Sequence, residues 1–464
     1  MLTKNDARKI LERARRDPAW WVRHVLGAVP WEKQVEILEA VRDHPKTAVA
    51  SCHGAGKSWV SAKAALWFLY SYPGSIVVTT APTFRQVKRI LWREIRQAWS
   101  GARYKLGGRL LQTSLELADG WMAFGFATDV PENFQGLHAK HLLVVADEAP
   151  GIEPDIWEAI DGVLTGEHCR LLAIGNPTEP AGEFYKLFQT PGVKKIHISA
   201  FDTPNFTAYG ITEEDIRSGA WEEKITGPLP FPELITPAWV TDKYRRWGPG
   251  SPMYQSRVRG DFPEAASDAL IPLSWIEAAQ KRELEPGEPV GLGVDVARFG
   301  DDETIIAVRR GPVVRLHSVA AKEDTMQTAG RVIRALSETG AGVAKVDVIG
   351  LGAGVVDRLK EQGKPVQEMN AAEAASDPER FANRRAEWYW ALRERFQEGS
   401  IDLDPDEELA AQLSSIKYRI DSRGRIQIES KEDMKKRGLP SPDRADAVVL
   451  AFANVQVSDP IMLW

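Results

Sequence analysis

Two groups of residues in this 464-residue chain have the types and spacing to do phosphate chemistry. The first is Ser51-Cys52-His53-Gly54-Ala55-Gly56-Lys57-Ser58 with Asp147-Glu148 further on; the second is Asp295, Asp347 and Asp446, spread over the last third. A glycine-rich turn between a strand and a helix aims several backbone N–H groups at one point, where phosphate oxygens are the natural acceptors. Gly54, Ala55 and Gly56 would form that cradle, Lys57 would reach the β and γ phosphates of ATP, and Ser58 would ligate Mg²⁺. The general pattern has glycine where Ser51 stands. The apolar run Leu142–Ala146 delivers the two acids, Asp147 to hold the magnesium and Glu148 to polarise an attacking water. Nucleotide binding alone would not need the second acid. Gln34, upstream near Trp31, is placed to read the adenine edge, and Asn176, just past Leu171–Ile174, to sense the γ-phosphate. Outside that context, Gln34 is an ordinary helix-surface residue and Asn176-Pro177 an ordinary turn.

The second group is all carboxylate. Asp295 lies inside the apolar run Gly293-Val294-Asp295-Val296-Ala297, Asp347 ends Ala344-Lys345-Val346-Asp347, and Asp446 opens a terminal helix. An acid delivered by an apolar strand is costly to bury without a cation partner. Three such acids on one sheet edge could hold two Mg²⁺ or Mn²⁺ ions about 3.5–4 Å apart, an arrangement that cuts phosphodiesters. Asp302 and Asp443 are auxiliary ligand candidates. Taken singly, Asp446 could be a helix N-terminal charge and Asp302 a turn residue; the order of the set favours a nuclease.

These residues need two frameworks. Apolar runs at Thr47–Ala50, Ser75–Thr80, Leu142–Ala146, Leu171–Ile174 and Lys195–Ser199, with helical stretches between, predict a mainly parallel sheet with ligands at the strand carboxyl ends. Residues 1–263 are expected to form this P-loop ATPase domain, including a proline- and aromatic-rich connecting segment from about 203. Residues 264–285 read as a linker. From 286 to 464 the order is three strands (Val290–Val296, Thr304–Arg310, Val313–Val319), a helix at Thr325–Thr339 and a strand at Val343–Val348, the layout of a ribonuclease H-like domain. The fold class is α/β throughout.

The net charge of −6 argues against a uniformly basic nucleic-acid binder but leaves room for local basic patches. One lies between Arg85 and Arg109, a second contains Arg245 and Arg246, and a third is a hairpin with Arg423 and Arg425, followed by Lys431. Each could grip DNA backbone or be an ordinary solvated face. No apolar run is long enough to span a bilayer, and the N-terminal residues lack a signal-peptide core. Only two cysteines are present, too few for a disulfide framework, so a reducing cytoplasm is expected.

Jointly, Gly54–Ser58, Gln135-Gly136-Leu137, Leu142–Glu148, Gly175–Thr178, Gly182–Tyr185, Gly260-Asp261-Phe262, Asp295–Ala297, Val346–Gly350 and Asp443–Ala447 resemble the large terminase subunit of tailed bacteriophages, over nearly the whole chain. The resemblance implies ATP-driven movement of double-stranded DNA into a procapsid, with a nuclease domain cutting to begin and end packaging. It implies a small terminase subunit, the portal protein and self-association as a ring on the portal as partners. It places the protein in the cytoplasm of the infected bacterial host, transiently on the procapsid and not in the mature virion. Gln135 stands where some relatives carry an arginine, so no arginine finger is carried onto it. A helicase fused to a nuclease would need a second motor domain in the space the second acid set occupies. A transposase or integrase would use the carboxylates for strand transfer, and a structural capsid protein would have no need of Lys57, Glu148 and three acids.

Overall fold

The computed structural model describes residues 4–126, 139–263, 268–297, 303–321 and 323–453, with side chains from residue 8. Gln135 and Asp302 lie outside the described residues. The chain divides into two compact units, residues 1–244 with 254–264, and residues 245–253 with 265–464.

Among the described residues the first unit holds eight strands: β1 Lys46–Ser51, β2 Ile76–Thr80, β3 Arg109–Leu110, β4 Ser114–Ala118, β5 Trp121–Gly125, β6 Leu142–Asp147, β7 Cys169–Gly175 and β8 Lys194–Ile198. Their order is β3-β4-β5-β2-β6-β7-β1-β8. From β5 to β8 every pairing is parallel; β3 and β4 extend the sheet antiparallel. β2 and β6 are buried at every position, which is why they read as unbroken apolar runs rather than alternating ones. The short β3–β5 extension alternates less cleanly, and the apolar pattern gave no sign of it. In the basic stretch 85–109, a π-helical turn at Val87–Leu91 leads into a helix at Trp92–Ser100.

β6, β7 and β1 are neighbours, and in register Asp147 faces Ile174 while Ala50 faces Gly175. The phosphate loop, the acid pair and Asn176 therefore leave the sheet side by side. Gly175 makes this possible: a Cβ there would stand 2.3 Å from Pro150 Cδ, so only glycine lets the turn after Glu148 cross the end of β7.

The second unit holds β9 Val290–Asp295, β10 Glu303–Arg310, β11 Val313–Ala321, β12 Ala344–Asp347, β13 Val366–Met369 and β14 Asp402–Leu403, in the order β13-β12-β9-β10-β11-β14. The β9–β10–β11 meander is antiparallel, while β12 and β13 add parallel beside β9. A separate hairpin pairs β15 Tyr418–Ile420 with β16 Ile426–Ile428. The segment 264–285, expected as a linker, contains the helix Leu273–Lys281, with Leu273, Ile276 and Ala279 buried. The helix Thr325–Thr339 buries Ala329, Val332, Ala335 and Leu336 against Leu292, Val294, Ile306 and Val346. Its spacing of apolar residues is the pattern of one helical face.

The terminal helix Asp443–Phe452 lies directly on β9. A Cβ on Gly293 would come within 2.1 Å of Ala447 O and 2.3 Å of Ala451 N, so the strand must carry glycine at that point. Each end of the helix receives a side chain from elsewhere in the unit. Gln412 Oε1 accepts from the N–H groups of Arg444 (2.9 Å) and Ala445 (3.1 Å), and Lys345 Nζ donates to Ala451 O and Ala453 O. Gly293→Ala should push the helix off the sheet, with a loss of about 1–3 kcal/mol, the usual range for overpacking. Chemical denaturation with a probe in the second unit tests this; unchanged stability would mean the helix does not rest on that contact.

Candidate functional sites

At the phosphate loop, Lys57 is buried, and its Nζ donates to Asn176 Oδ1 (3.0 Å) and Cys52 O (3.3 Å). Asn176 Nδ2 in turn donates to Ser51 O at 2.7 Å, tying the end of β7 to the loop. Ser58 Oγ donates to Asp147 Oδ2 at 2.7 Å. The other carboxylate oxygen, Asp147 Oδ1, is buried with no hydrogen-bond partner. Burial, together with the neighbouring Glu148 charge, pushes the Asp147 carboxyl up to about 7. A buried, unmatched oxygen beside a serine hydroxyl fits a hard divalent cation carried in with nucleotide phosphates.

Glu148 is the one non-glycine among the described residues with positive φ, at φ 50° and ψ 43°. A left-handed glutamate costs roughly 1–3 kcal/mol and persists only where the surroundings impose it. Here the 3₁₀ turn Ala149–Gly151 starts immediately after β6 and turns the chain at that point. Gln34 is buried against the loop: its Oε1 accepts from Trp31 N at 3.3 Å, and its Nε2 donates weakly to Gly56 O at 3.5 Å.

Two residues remote in sequence also meet the loop. His53 N donates to Arg257 O at 2.8 Å, Arg257 Nη1 lies 3.5 Å from His53 Nδ1, and the His53 ring stacks on Trp239 at 6.0 Å. Arg257 belongs to a basic stretch remote in sequence, and no local pattern pairs it with the loop.

In the second unit, Asp295 ends β9 and Asp347 ends the adjacent β12, one position past the Val346–Val294 pair. The terminal helix brings Asp443 and Asp446 to the same edge. Asp443 Oδ2 accepts from Glu303 N at 3.0 Å, which ties it to the start of β10. The Lys431 ammonium stands among these acids, 2.8 Å from Asp446 Oδ2, 3.7 Å from Asp443 Oδ1 and 3.9 Å from Asp295 Oδ2. Among the described residues no set of three or more His, Cys, Asp or Glu side chains is already arranged as a metal cage. A lysine holds the shared position instead.

The acids differ electrostatically. Burial and the charges of Asp446, Asp443 and Asp347 raise the Asp295 carboxyl well above its ordinary range, although Lys431 opposes them. Asp347 is raised chiefly by burial. Burial would raise Asp446 as well, but Lys431 and Arg385 overcome it and hold that carboxyl below the usual value. Four carboxylates thus share two cations, Lys431 and Arg385. The excess negative charge and the all-oxygen donor set suit Mg²⁺ or Mn²⁺.

Of the expected DNA-contacting residues, Arg246 Nη1 lies 3.4 Å from Glu408 Oε2 and Arg425 is tied to Asp421 at 2.9 Å, while Arg423 is exposed at the hairpin turn. Arg245 lies in the last turn of the helix Pro237–Trp247. Sequence reasoning missed Arg385 and Tyr389, which reach Asp446 from the helix Arg384–Gln397; nothing in their spacing points to an acid far along the chain.

No family model matches the chain. It is similar to the protein named "Probable terminase, large subunit" of Enterobacteria phage P7, with 28% identity over 475 residues, covering 94% of this chain and 91% of that protein. The resemblance to large terminase subunits read from the motifs therefore holds. Among solved structures, the large terminase of the thermophilic bacteriophage D6E in complex with ADP matches at 12% identity and TM-score 0.40, covering 92% of this chain and 99% of that one. The nuclease domain of the large terminase subunit of bacterial virus Sf6 matches at 24% identity and TM-score 0.38, covering 40% of this chain and 99% of that one. A variant of that Sf6 domain is known with manganese.

The raised carboxyls give a pH signature. A carboxyl whose folded value lies above its unfolded value stabilises most at low pH, and that contribution is lost as pH rises through the folded value. Asp147, Asp295 and Asp347 all act in this direction, with Asp147 passing through about 7. Asp446, held down by Lys431 and Arg385, acts in the opposite direction. Divalent cation should therefore raise the melting temperature more at pH 8 than at pH 5.5. An equal shift at both pH values in paired melts would contradict this assignment.

Proposed function

We propose that this chain is the motor and nuclease subunit of a viral DNA-packaging machine, using ATP hydrolysis to drive double-stranded DNA into a procapsid and a metal-dependent endonuclease to begin and end packaging. The observation that carries this reading is that one chain brings Lys57, Ser58, Asp147 and Asn176 together at a glycine-rich loop in its first unit and gathers carboxylates around Lys431 in its second. The similarity to a large terminase subunit over almost the full length of both proteins supports it.

In the ATPase reading, the backbone of Gly54–Ser58 cradles the phosphates and Lys57 carries the charge to the γ-phosphate. Gln34 braces the loop from the adenine side. Mg²⁺, when bound with ATP, would be held by Ser58 and Asp147 and would neutralise charge on the phosphates. Glu148 takes the proton from the attacking water. Asn176 shares Lys57 with the phosphates, so the hold on Lys57 changes when the γ-phosphate leaves and the end of β7 feels it.

In the nuclease reading, Asp295, Asp347 and Asp446 would hold two Mg²⁺ or Mn²⁺ ions, with Asp443 in support. When bound, such ions supply an activated water and a counter-charge for the leaving 3′ oxygen. Lys431 keeps the acids together until a divalent cation takes over the role of counter-charge. Arg245, Arg246, Arg423 and Arg425 are the proposed backbone contacts. The proposed partners are a small terminase subunit, the portal protein and further copies of this chain in a ring, in the cytoplasm of an infected bacterium. No described helix is long and apolar enough to cross a membrane.

The direct test is to combine the protein with procapsids, ATP and linear DNA and measure DNA protected from added nuclease; absence of ATP-dependent protection would overturn the packaging role. Glu148→Gln should bind ATP normally and lose hydrolysis by a factor of about 10²–10⁴, the share of a positioned base. Near-normal turnover would take Glu148 out of the mechanism. Asp295→Asn and Asp347→Asn should each abolish divalent-dependent DNA cleavage while leaving ATP hydrolysis intact. Cleavage that survives in either variant would place the cutting site elsewhere.

A further inference from the structure

Asp446 is held asymmetrically. Its Oδ1 accepts from the Tyr389 hydroxyl at 2.6 Å, and Arg385 Nη2 stands 3.7 Å from the same oxygen. Its Oδ2 faces the other way, toward Lys431 at 2.8 Å. Tyr389 is 1% exposed, so its hydroxyl has no water to exchange for this bond. Arg385 Nη1 is anchored on Glu429 O and the guanidinium lies 5.1 Å from the centre of the Tyr389 ring. Its Nη2 is buried with no hydrogen-bond partner. Arg385 and Tyr389 are one turn apart on the helix Arg384–Gln397, so both project from one face. That helix is fixed at its start by Asn383, whose Oδ1 accepts from Ala386 N at 3.0 Å.

We propose that Tyr389 and Arg385 are positioning residues that dedicate Asp446 Oδ1 to the protein and present Oδ2, by itself, to a divalent cation. The proposal rests on the nuclease reading above. A carboxylate free to rotate can bind a cation through both oxygens or turn away from it. One pinned by a buried phenol and faced by a buried guanidinium has a single geometry, and Lys431 marks the direction in which its free oxygen points. Asp347 Oδ1, by contrast, accepts from a backbone group, Ile349 N at 3.0 Å, and Asp295 Oδ2 faces Lys431 at 3.9 Å. Asp446 is thus the ligand whose orientation is set in advance by side chains that do not touch the cation.

The test is Mn²⁺ binding to the full chain by calorimetry, beside the Mn²⁺ dependence of DNA cleavage. Removing a hydrogen-bond partner behind a metal ligand typically weakens affinity 10–100-fold. Tyr389→Phe should raise the Mn²⁺ dissociation constant by that factor, shift half-maximal cleavage to correspondingly higher Mn²⁺, and recover most of the rate at saturation. Arg385→Lys should weaken binding less than Arg385→Ala, and it serves in place of Tyr389→Phe if that variant does not fold. A merely structural role would lower the melting temperature and leave the Mn²⁺ constant of the folded protein unchanged, which would overturn the proposal. Asp295→Asn is the control for the premise: if Mn²⁺ binding survives that change intact, the nuclease-site reading fails and this inference with it. If Asp295→Asn abolishes binding while Tyr389→Phe binds as the wild type does, only the inference fails.

Discussion

Crowding carboxylates at the carboxyl ends of buried strands is the constraint around which both units are built. Each strand that delivers an acid is apolar along its length, so the acid arrives where water is scarce and its charge is expensive. Asp147 follows five fully buried residues of β6, and Asp295 follows Gly291–Val294 of β9. The neighbouring groups answer that cost. Ser58 meets one oxygen of Asp147, while Lys431, Tyr389 and Arg385 divide the two oxygens of Asp446 between them. Where the answer is incomplete, at Asp147 Oδ1 and among the acids around Asp295, the molecule retains an appetite for positive charge.

The terminal helix shows how far the scaffold is arranged to keep this geometry. It must lie against β9 for Asp446 to reach Asp295, and Gly293 removes the side chain that would prevent it. Its ends are satisfied by residues from elsewhere, Gln412 at the start and Lys345 at the finish. Burial, followed by the Arg309 charge, lowers Lys345 to about 8, so the ammonium is held there against its own desolvation. Arg444, next to Asp443, is locked by Glu303, Asp406 and Glu408 at 2.7–3.0 Å. An ion network with one buried arginine and three acids fixes direction more than it adds stability. The helix so held carries Asp443 and Asp446 to the edge where Lys431 stands.

The two sites use strain and slack differently. At the first, Glu148 sits in left-handed backbone, and the glycine at 175 gives the following turn room to pass. At the second, the backbone is ordinary and the tension is electrostatic, among like charges on adjacent strands. Backbone strain fixes the direction of a single carboxylate, whereas shared charge holds several acids around one ammonium.

Strands β2, β6 and β7 are legible in the sequence because they are buried on both faces and so appear as continuous apolar runs. The glycine-rich loop Ser51–Ser58 is legible because its residues are contiguous, and the acids because a carboxylate inside an apolar run is conspicuous. The bounds of the helix Thr325–Thr339 could be read because its apolar residues repeat on one face and Asp324 caps it locally. What tertiary structure alone decided is which residues meet across long separations. Arg257 beside His53, Lys431 among the acids and Tyr389 behind Asp446 involve side chains on exposed-looking, amphipathic or irregular segments. Their local sequence would serve equally well on a solvated surface. The short β3–β5 extension was hidden for a related reason: at the margin of a sheet a strand is only partly buried, and partial burial leaves a weak pattern. Contiguity and full burial write themselves into sequence; contacts made by closing the chain on itself do not.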